Sequence, residues 1–136
     1  GLILTIVYFS LSSKQAENRD LKRMSDINLL RNTLTVVKNE TGGYDQSLCD
    51  LGVVASCATK DNSQLLKFIP DLKNLIDPDG MVSCVKDANC TSGTCNYAFT
   101  KMGSEDYELR FHLEKGVDSF TASGCYLATP QGIRKL

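Results

Sequence analysis

The chain has little proline, almost no net charge and no biased composition. Its 136 residues include three prolines and ten glycines, and no segment is low in complexity, which excludes a disordered or collagen-like chain. Fifteen basic and sixteen acidic residues leave a formal charge of -1, which removes the general electrostatic attraction toward nucleic acid or an anionic membrane surface. Because 42% of the residues are apolar, the chain can fold, and its length favours one compact unit.

Recognisable enzyme motifs are missing too. The sequence contains no nucleophile elbow, no phosphate-binding glycine loop and no carboxylate pair of recognisable spacing. His112, the single histidine, lies between Arg110 and Glu114 in an alternating segment. This places it on the polar face of a strand, without a serine or cysteine that spacing would pair with it. The sequence therefore indicates a protein that is not an enzyme and that needs no cofactor.

Two aspartates beside a glycine, in the segment Asp77-Pro78-Asp79-Gly80, raise the alternative of a calcium loop. The further acidic positions and the closing glutamate of an EF-hand are missing. A proline early and a glycine late are typical of a β-turn. We therefore predict a turn here and no metal site.

Six cysteines in a chain of this size indicate an oxidising location, where thiols form disulfides. A zinc site would need closely spaced pairs of ligands, whereas Cys49 and Cys57 are eight residues apart and Cys90 and Cys95 are five apart. Six cysteines allow fifteen pairings, and sequence alone does not select one. Short loops favour Cys49 with Cys57 and Cys90 with Cys95, and this leaves Cys84 to pair with Cys125.

The first eleven residues, GLILTIVYFSL, carry no charge and eight large apolar side chains. As a helix this segment is only about 16 Å long, roughly half of a bilayer core, so it cannot span a membrane unaided. Exposed to water, these side chains would drive aggregation, so they need a bilayer or a protein partner. We predict that the following side chains form the core of an assembly: Leu2, Ile3, Leu4, Ile6, Val7, Phe9 and Leu11.

Beyond Ser12 the apolar residues recur at intervals of three or four, which predicts an amphipathic helix over 12–40. This stripe consists of Leu21, Met24, Ile27, Leu30, Leu34 and Val37. Thr41-Gly42-Gly43 provides the stop, because glycine readily adopts the left-handed conformation of a helix C-terminus. One helix over 1–40 would be roughly 60 Å long, so its first part must project beyond the globular remainder, 41–136.

A cluster of mixed charges separates the apolar segment from the stripe. It consists of Lys14, Glu17, Arg19, Asp20, Lys22, Arg23 and Asp26. One interpretation is a solvated helix face, with pairs along the helix worth a few tenths of a kcal/mol each. In the other, the same charges pair between subunits of a helical bundle and set its register.

The globular part begins with a long connecting region over 42–81, which contains a short helix at 63–68 ended by Pro70. Strict alternation of apolar and polar residues over 107–114 predicts a strand with one buried face. Further strands are expected at 96–101 and 125–129, the first joined to 107–114 by a hairpin loop. The predicted class is α+β: a long N-terminal helix on a small antiparallel sheet with disulfide-stapled loops.

Several segments, taken in order, resemble the type IV pilins and the related pseudopilins of type II secretion. They are the apolar start running into GLILTIVYFSLSSKQAENRDLKRMSDINLLRNTL, then TGGYD, LLKFIPDL, DPDG, CNYAFTKMGSEDYELRFHLEKG and GCYLATPQG. The most specific is the passage from apolar to charged helix, RDLKRMSDI, at 19–27. The resemblance covers nearly the whole chain.

The resemblance implies a lollipop-shaped subunit, held in the inner membrane before assembly. The pilus assembly machinery would then stack it into an extracellular helical filament of identical copies, with the apolar helices along the axis. Adhesion, twitching motility and DNA uptake would be properties of the polymer, with host surfaces or DNA as its partners. Pilins carry a further apolar stretch with a glutamate before a glycine like Gly1. We therefore expect such a stretch before Gly1 and assign that glutamate's role to no residue here.

Two alternatives remain open. The chain could be a pseudopilin of a type II secretion system; the major pseudopilins often carry a calcium loop near the end of the sheet, where Asp118 stands nearly alone here. It could instead be a membrane-anchored, secreted, disulfide-rich binding domain or enzyme. Filaments on the cell surface would separate the pilin from both alternatives.

Overall fold

One long helix, α1 (Leu2–Thr41), forms the first third of the chain. The computed structural model describes residues 2–86 and 89–136, with side chains described from Leu11 onward. Gly42 follows the helix with a φ of 95°, and its N–H donates to the Lys38 carbonyl at 2.7 Å. The predicted helix and its glycine stop are therefore confirmed.

The inner side of α1 packs on the globular part through apolar residues spaced three or four apart. Ile27, Leu30 and Leu34 are completely buried, as the periodicity predicts. Leu21 was wrongly assigned to this stripe, because its side chain is 55% exposed. Asp20, one turn before Met24, takes the buried position instead.

The connecting region contains more structure than expected. It holds three short 3₁₀ helices, Tyr44–Ser47, Val54–Thr59 and Leu72–Asn74, a two-residue strand β1 (Gly52–Val53) and the helix α2 (Gln64–Phe68). The predicted short helix is confirmed, and the Ser63 side chain caps it by accepting from the Leu66 N–H. Such short elements lack the repeated pattern by which sequence reveals longer ones.

The sheet has five antiparallel strands in the order β1-β2-β3-β4-β5. After α3 (Asn89–Ser92) come β2 (Ala98–Met102), β3 (Tyr107–Leu113), β4 (Gly124–Thr129) and β5 (Gly132–Lys135). The three predicted strands are confirmed. The segment Pro130-Gln131-Gly132 leads into β5, which the sequence analysis did not predict.

Alternate residues of the strands face α1 and form the main core with it. Phe99, Leu109, Phe111 and Tyr126 are almost completely buried there. Phe111 and Tyr126 stack with ring centroids 5.7 Å apart. The α+β class, with a long helix on an antiparallel sheet and disulfides, is therefore confirmed.

The other face of the sheet is covered as well, which contradicts the prediction of a polar face for β3. Arg110 and His112 are each only 8% exposed, because the described residues of segment 83–95, which are 83–86 and 89–95, pack on this face of the sheet beside Ala98 and Cys125. Arg110 donates to the Lys86 carbonyl in that segment at 3.0 Å. The alternating pattern gave the direction of each side chain correctly, but a covering loop is a tertiary feature that it does not encode.

Three disulfides are present: Cys49–Cys57, Cys84–Cys95 and Cys90–Cys125. The first pairing is as predicted and the other two predicted pairings are wrong. Backbone hydrogen bonds explain why: the Cys84 N–H donates to the Asn96 carbonyl at 2.8 Å, which brings Cys84 beside Cys95. Cys90, on α3, instead reaches Cys125 on β4.

Candidate functional site: the charged junction and the apolar end of the helix

Arg23 is the centre of a charged junction between α1 and the rest of the protein. Its side chain is completely buried, and its guanidinium binds the Asp77 carboxylate through two hydrogen bonds of 2.7 and 2.9 Å. Its third nitrogen donates to Asp20 at 2.8 Å and to Glu114 at 2.5 Å. A planar guanidinium fits this forked geometry better than an ammonium group would.

Asp20 connects the same junction to the loop after β3. Its carboxylate accepts backbone N–H groups from three consecutive residues: Glu114 at 2.9 Å, Lys115 at 2.7 Å and Gly116 at 2.9 Å. With Arg23, these bonds compensate a carboxylate that has no contact with water. A buried charge is tolerated only when it is paired and hydrogen-bonded in this way.

Glu114 forms the outer edge of the junction. Arg19 donates two hydrogen bonds to its carboxylate, at 2.6 and 2.7 Å. The bonds from Arg19, together with those from Arg23, lower the pKa of Glu114 to about 2, against the opposing effect of burial. This carboxylate is therefore ionised at any pH near neutrality.

The Asp77-Pro78-Asp79-Gly80 segment forms a turn, as predicted. One Asp77 oxygen accepts the N–H groups of both Asp79 and Gly80 at 2.8 Å. A Cβ atom at Gly80 would overlap the Cys95 backbone, so glycine is required there. Because Arg23 neutralises Asp77, the Asp77 carboxylate supports the junction and is not free to bind a cation.

A second polar pair lies one turn further along α1. The Tyr97 hydroxyl donates to Asp26 at 2.9 Å, and Lys22 donates to the same carboxylate at 2.6 Å. Burial, followed by the neighbouring Asp26 charge, raises the pKa of Tyr97. Lys22 also donates to the Ile76 carbonyl at 2.9 Å, which joins α1 to the connecting region.

At Asp20 and Arg23 the structure contradicts both interpretations of the charge cluster, whereas Lys22 and Asp26 form a pair along the helix. Asp20 and Arg23 are completely buried within their own subunit and cannot pair with another copy, and neither belongs to a solvated face. Glu17 lies 3.5 Å from the Lys115 ammonium group. Of the seven residues of this cluster, only the exposed Lys14 takes part in no ion pair with the described residues.

Sequence reasoning missed Asp77, Glu114 and Tyr97 as partners of the helix charges. A usable signal was present: Asp20 lies four residues before Met24 and Arg23 lies four residues before Ile27, on the buried stripe itself. Charged residues at core positions of an amphipathic helix indicate buried partners. The sequence could not identify those partners, because they lie more than fifty residues away.

The junction does not resemble a catalytic site. Its carboxylates are occupied by guanidinium and backbone N–H groups. His112 lies opposite Cys125 in the β3–β4 pairing, and its Nδ1 has no hydrogen-bond partner among the described residues. Burial, and then the Arg23 charge, lower the pKa of His112.

A surface groove of about 370 Å³ lies near β5. Its lining includes Glu108, Thr129 and Arg134 but not His112.

The only group of three potential metal ligands in the described residues is formed by Cys84, Cys90 and Cys95. All three are in disulfides. A disulfide sulfur has no thiolate charge to offer a metal ion. The oxidised chain therefore offers no metal site here.

The predicted assembly core lies at the other end of α1. The side chains of six of its members fall outside the described part of the chain: Leu2, Ile3, Leu4, Ile6, Val7 and Phe9. Leu11, the seventh member, is 58% exposed, and the first buried residue on the described part of the helix is Ala16. The ammonium group of Lys115, in the loop after β3, contacts the Ser13 side chain two residues after Leu11.

Among the described residues, no helix combines the length and the apolar character needed to cross a bilayer. Comparison with family models, with curated proteins and with solved structures finds no match to this chain.

Proposed function

We propose that the chain is a structural subunit of an extracellular type IV pilus and that it polymerises through the apolar N-terminal part of α1. The observation that carries this proposal is the exposure of Leu11 at the end of an uncharged apolar segment. Apolar side chains on this scale require shelter. In a pilus that shelter is provided by identical helices from neighbouring subunits.

The lollipop architecture of a pilin is consistent with the layout of the fold. The charged junction sits where α1 enters the globular part, near Asp20 and Glu114. In a filament held together by its helices, a pulling force reaches each globular part through α1. Four buried or half-buried carboxylate contacts to Arg19 and Arg23 would resist sliding of the helix along the sheet.

The outer face of α1 offers a further contact surface for neighbouring copies. Leu21, Leu29 and Val36 are 41 to 55% exposed and lie on the side of the helix away from the sheet. In the polymer these residues would pack against adjacent subunits. Before assembly, the apolar N-terminal part would be held in the inner membrane.

Imaging of filaments sheared from cells that make the protein tests the proposal directly. We expect thin, uniform fibres whose single protein component is this chain. Leu11→Asp should abolish them, because a charge in the filament core has no partner. Leu51→Asp is the matched control: Leu51 is 60% exposed on the connecting region, and fibres should persist.

Three other outcomes would contradict the proposal. Fibres too short to leave the cell envelope would assign the chain to the pseudopilins. A membrane-anchored monomer that never forms fibres would favour the secreted binding domain or enzyme. A chain that stays monomeric at high concentration with residues 1–11 intact would remove the driving force on which polymerisation depends.

A further inference from the structure

Sulfur atoms from two different disulfides lie close together where the described residues of segment 83–95 meet the sheet. The Sγ atoms of Cys84, Cys90 and Cys95 are all within 4.8 Å of one another, although Cys90 is bonded to Cys125 and not to either of the other two. The four cysteines form a small buried cluster with Ala98. Each disulfide of this cluster therefore has a sulfur of the other beside it.

We propose that Cys84, Cys90, Cys95 and Cys125 form a disulfide-exchange centre, in which one free thiolate can rearrange the pairing without net oxidation or reduction. Exchange requires a thiolate to approach a disulfide sulfur. Because the Sγ atoms of Cys84, Cys90 and Cys95 lie within 4.8 Å of one another, a free thiolate at any one of them needs only a short movement to attack a bond between the other two. Cys90–Cys95, which short loops favour, is then an earlier state of this centre. Cys84–Cys95 and Cys90–Cys125 are its later state.

Loop length determines which bond forms first. Cys90 and Cys95 are five residues apart, whereas the observed bonds close separations of 11 and 35 residues. Because closure becomes less probable as roughly the 3/2 power of loop length, the Cys90–Cys95 contact is favoured about 3-fold over the first and about 20-fold over the second. In the unfolded chain, Cys90–Cys95 is therefore expected to form before either observed bond, with Cys84–Cys90, six residues apart, as its nearest competitor, disfavoured by only about 1.3-fold.

Folding of the backbone then redirects that bond. Hydrogen bonds from Cys84 to Asn96 and from Asn96 to Val82 align Cys84 with Cys95. The Cys84 thiolate attacks the Cys95 sulfur; the Cys84–Cys95 bond forms, the Cys90–Cys95 bond breaks, and Cys90 leaves as the thiolate.

Closing the second bond is an oxidation. Cys90 and Cys125 lose two electrons and two protons to an external disulfide, such as glutathione disulfide or an oxidoreductase, which is reduced to two thiols. Cys90–Cys125 then ties segment 83–95 to β4. The exchange centre thus decides whether this segment is closed on itself or fixed over Arg110 and His112.

The variant Cys125→Ser tests the centre, because it leaves three cysteines for one disulfide. After an acid quench, the free thiol is labelled with a maleimide and mapped by mass spectrometry. During reoxidation of the reduced variant, we expect the label first on Cys84, while Cys90–Cys95 is the bond, and later on Cys90, when Cys84–Cys95 has replaced that bond. Label on Cys90 from the first sample onward, with no Cys90–Cys95 species, would overturn the proposal.

Cys57→Ser is the matched control. The Cys49–Cys57 bond belongs to the main core and not to the cluster beneath segment 83–95. Its removal should leave the label on Cys49 alone. Label that spreads from Cys49 to the other cysteines would mean that exchange occurs throughout the chain and is not a property of this centre.

Refolding of the reduced full chain gives a second test that does not depend on a variant. Samples taken during oxidation by glutathione disulfide are acid-quenched and mapped. We expect Cys90–Cys95 to appear first and to be replaced by Cys84–Cys95 at a constant number of disulfides per chain. Appearance of both observed bonds with no Cys90–Cys95 species at any time would refute the centre.

Discussion

The two faces of the sheet are covered by different means. Helix α1 contains no cysteine and is held on its face by apolar side chains and by buried ion pairs around Arg23. Segment 83–95 covers the opposite face and is tied down by Cys90–Cys125. The attachment of the helix therefore depends on charge pairing, whereas that of the segment depends on the oxidation state.

The difference follows from what each element can bury. The long helix presents several turns of apolar surface and can also stabilise charges that pair with the sheet. Segment 83–95 is short, and its described residues, 83–86 and 89–95, contain no helix besides the four residues of α3, so its hydrophobic contribution is small. Disulfides stabilise such regions by restricting the unfolded chain.

Removal of Arg23 should have the largest effect on the helix side. In Arg23→Met the side chain keeps an unbranched apolar stem, but Asp20 and Asp77 lose their buried counter-charge. The free energy of unfolding should fall by about 3–5 kcal/mol, which is the usual cost of removing one partner from a buried ion pair. Urea denaturation measures this change.

Two further variants make the Arg23 experiment specific. Arg23→Lys keeps the charge but loses the forked contact with Asp77. Its free energy of unfolding should therefore lie between those of wild type and Arg23→Met. Lys14→Met, at an exposed position on the same helix, should change the stability by less than about 0.5 kcal/mol. Equal losses for Arg23→Met and Lys14→Met would show that the junction does not stabilise the fold.

The loop side should respond instead to loss of its disulfide. Replacing both Cys90 and Cys125 by serine removes a closure of 35 residues, and the free energy of unfolding should fall by about 4 kcal/mol. The same change at Cys49 and Cys57 removes a closure of eight residues and should cost about 2.5 kcal/mol. Urea denaturation compares the two; a larger loss at Cys49 and Cys57 would contradict the chain-entropy argument.

The helix and the strands could be predicted because their signals are local. The repeat of apolar residues through Leu34, the glycines after Thr41 and the alternation in β3 each act over a few neighbouring positions. The structure confirms these elements. β5 was missed because its four residues are too few to show a pattern.

The partners of buried groups could not be predicted, because they depend on how distant segments meet. Arg23 and Asp77 are 54 residues apart, and nothing near either residue indicates the other. The disulfide pairing failed for a related reason. Loop length describes the unfolded chain, whereas the bond at Cys84 depends on backbone pairing with Asn96 in the folded state.

Two buried tyrosines allow a hydrogen bond to a charged acceptor to be compared with one to a neutral acceptor. Tyr97 donates to the Asp26 carboxylate at 2.9 Å, and Tyr126 donates to the Ala122 carbonyl at 2.6 Å. Tyr97→Phe should lower the free energy of unfolding by about 1.5–3 kcal/mol, and Tyr126→Phe by about 0.5–1.5 kcal/mol, because bonds to charged groups are stronger. Thermal or urea denaturation measures both; the reverse order would mean that Lys22 alone satisfies Asp26.

Acid should loosen the two faces in different pH ranges. Burial lowers the pKa of His112 from its usual 6.5, so the folded protein binds a proton there less readily than the unfolded chain. Its contribution is complete above about pH 6.5 and is lost as the pH falls through the lowered pKa. His112→Gln should therefore weaken the pH dependence of the free energy of unfolding just below pH 6.5.

The helix side responds only in stronger acid. Glu114 titrates near its ordinary 4.5 in the unfolded chain and at about 2 in the folded protein, through its bonds from Arg19 and Arg23. Its stabilisation is complete above pH 4.5 and is lost as the pH falls toward 2. Urea denaturation across this range should show a shallower decline for Glu114→Gln than for wild type, with little difference between them in slope above pH 5. If His112→Gln, and not Glu114→Gln, removes the decline below pH 4.5, the assignment of charge pairing to the helix side of the sheet is wrong.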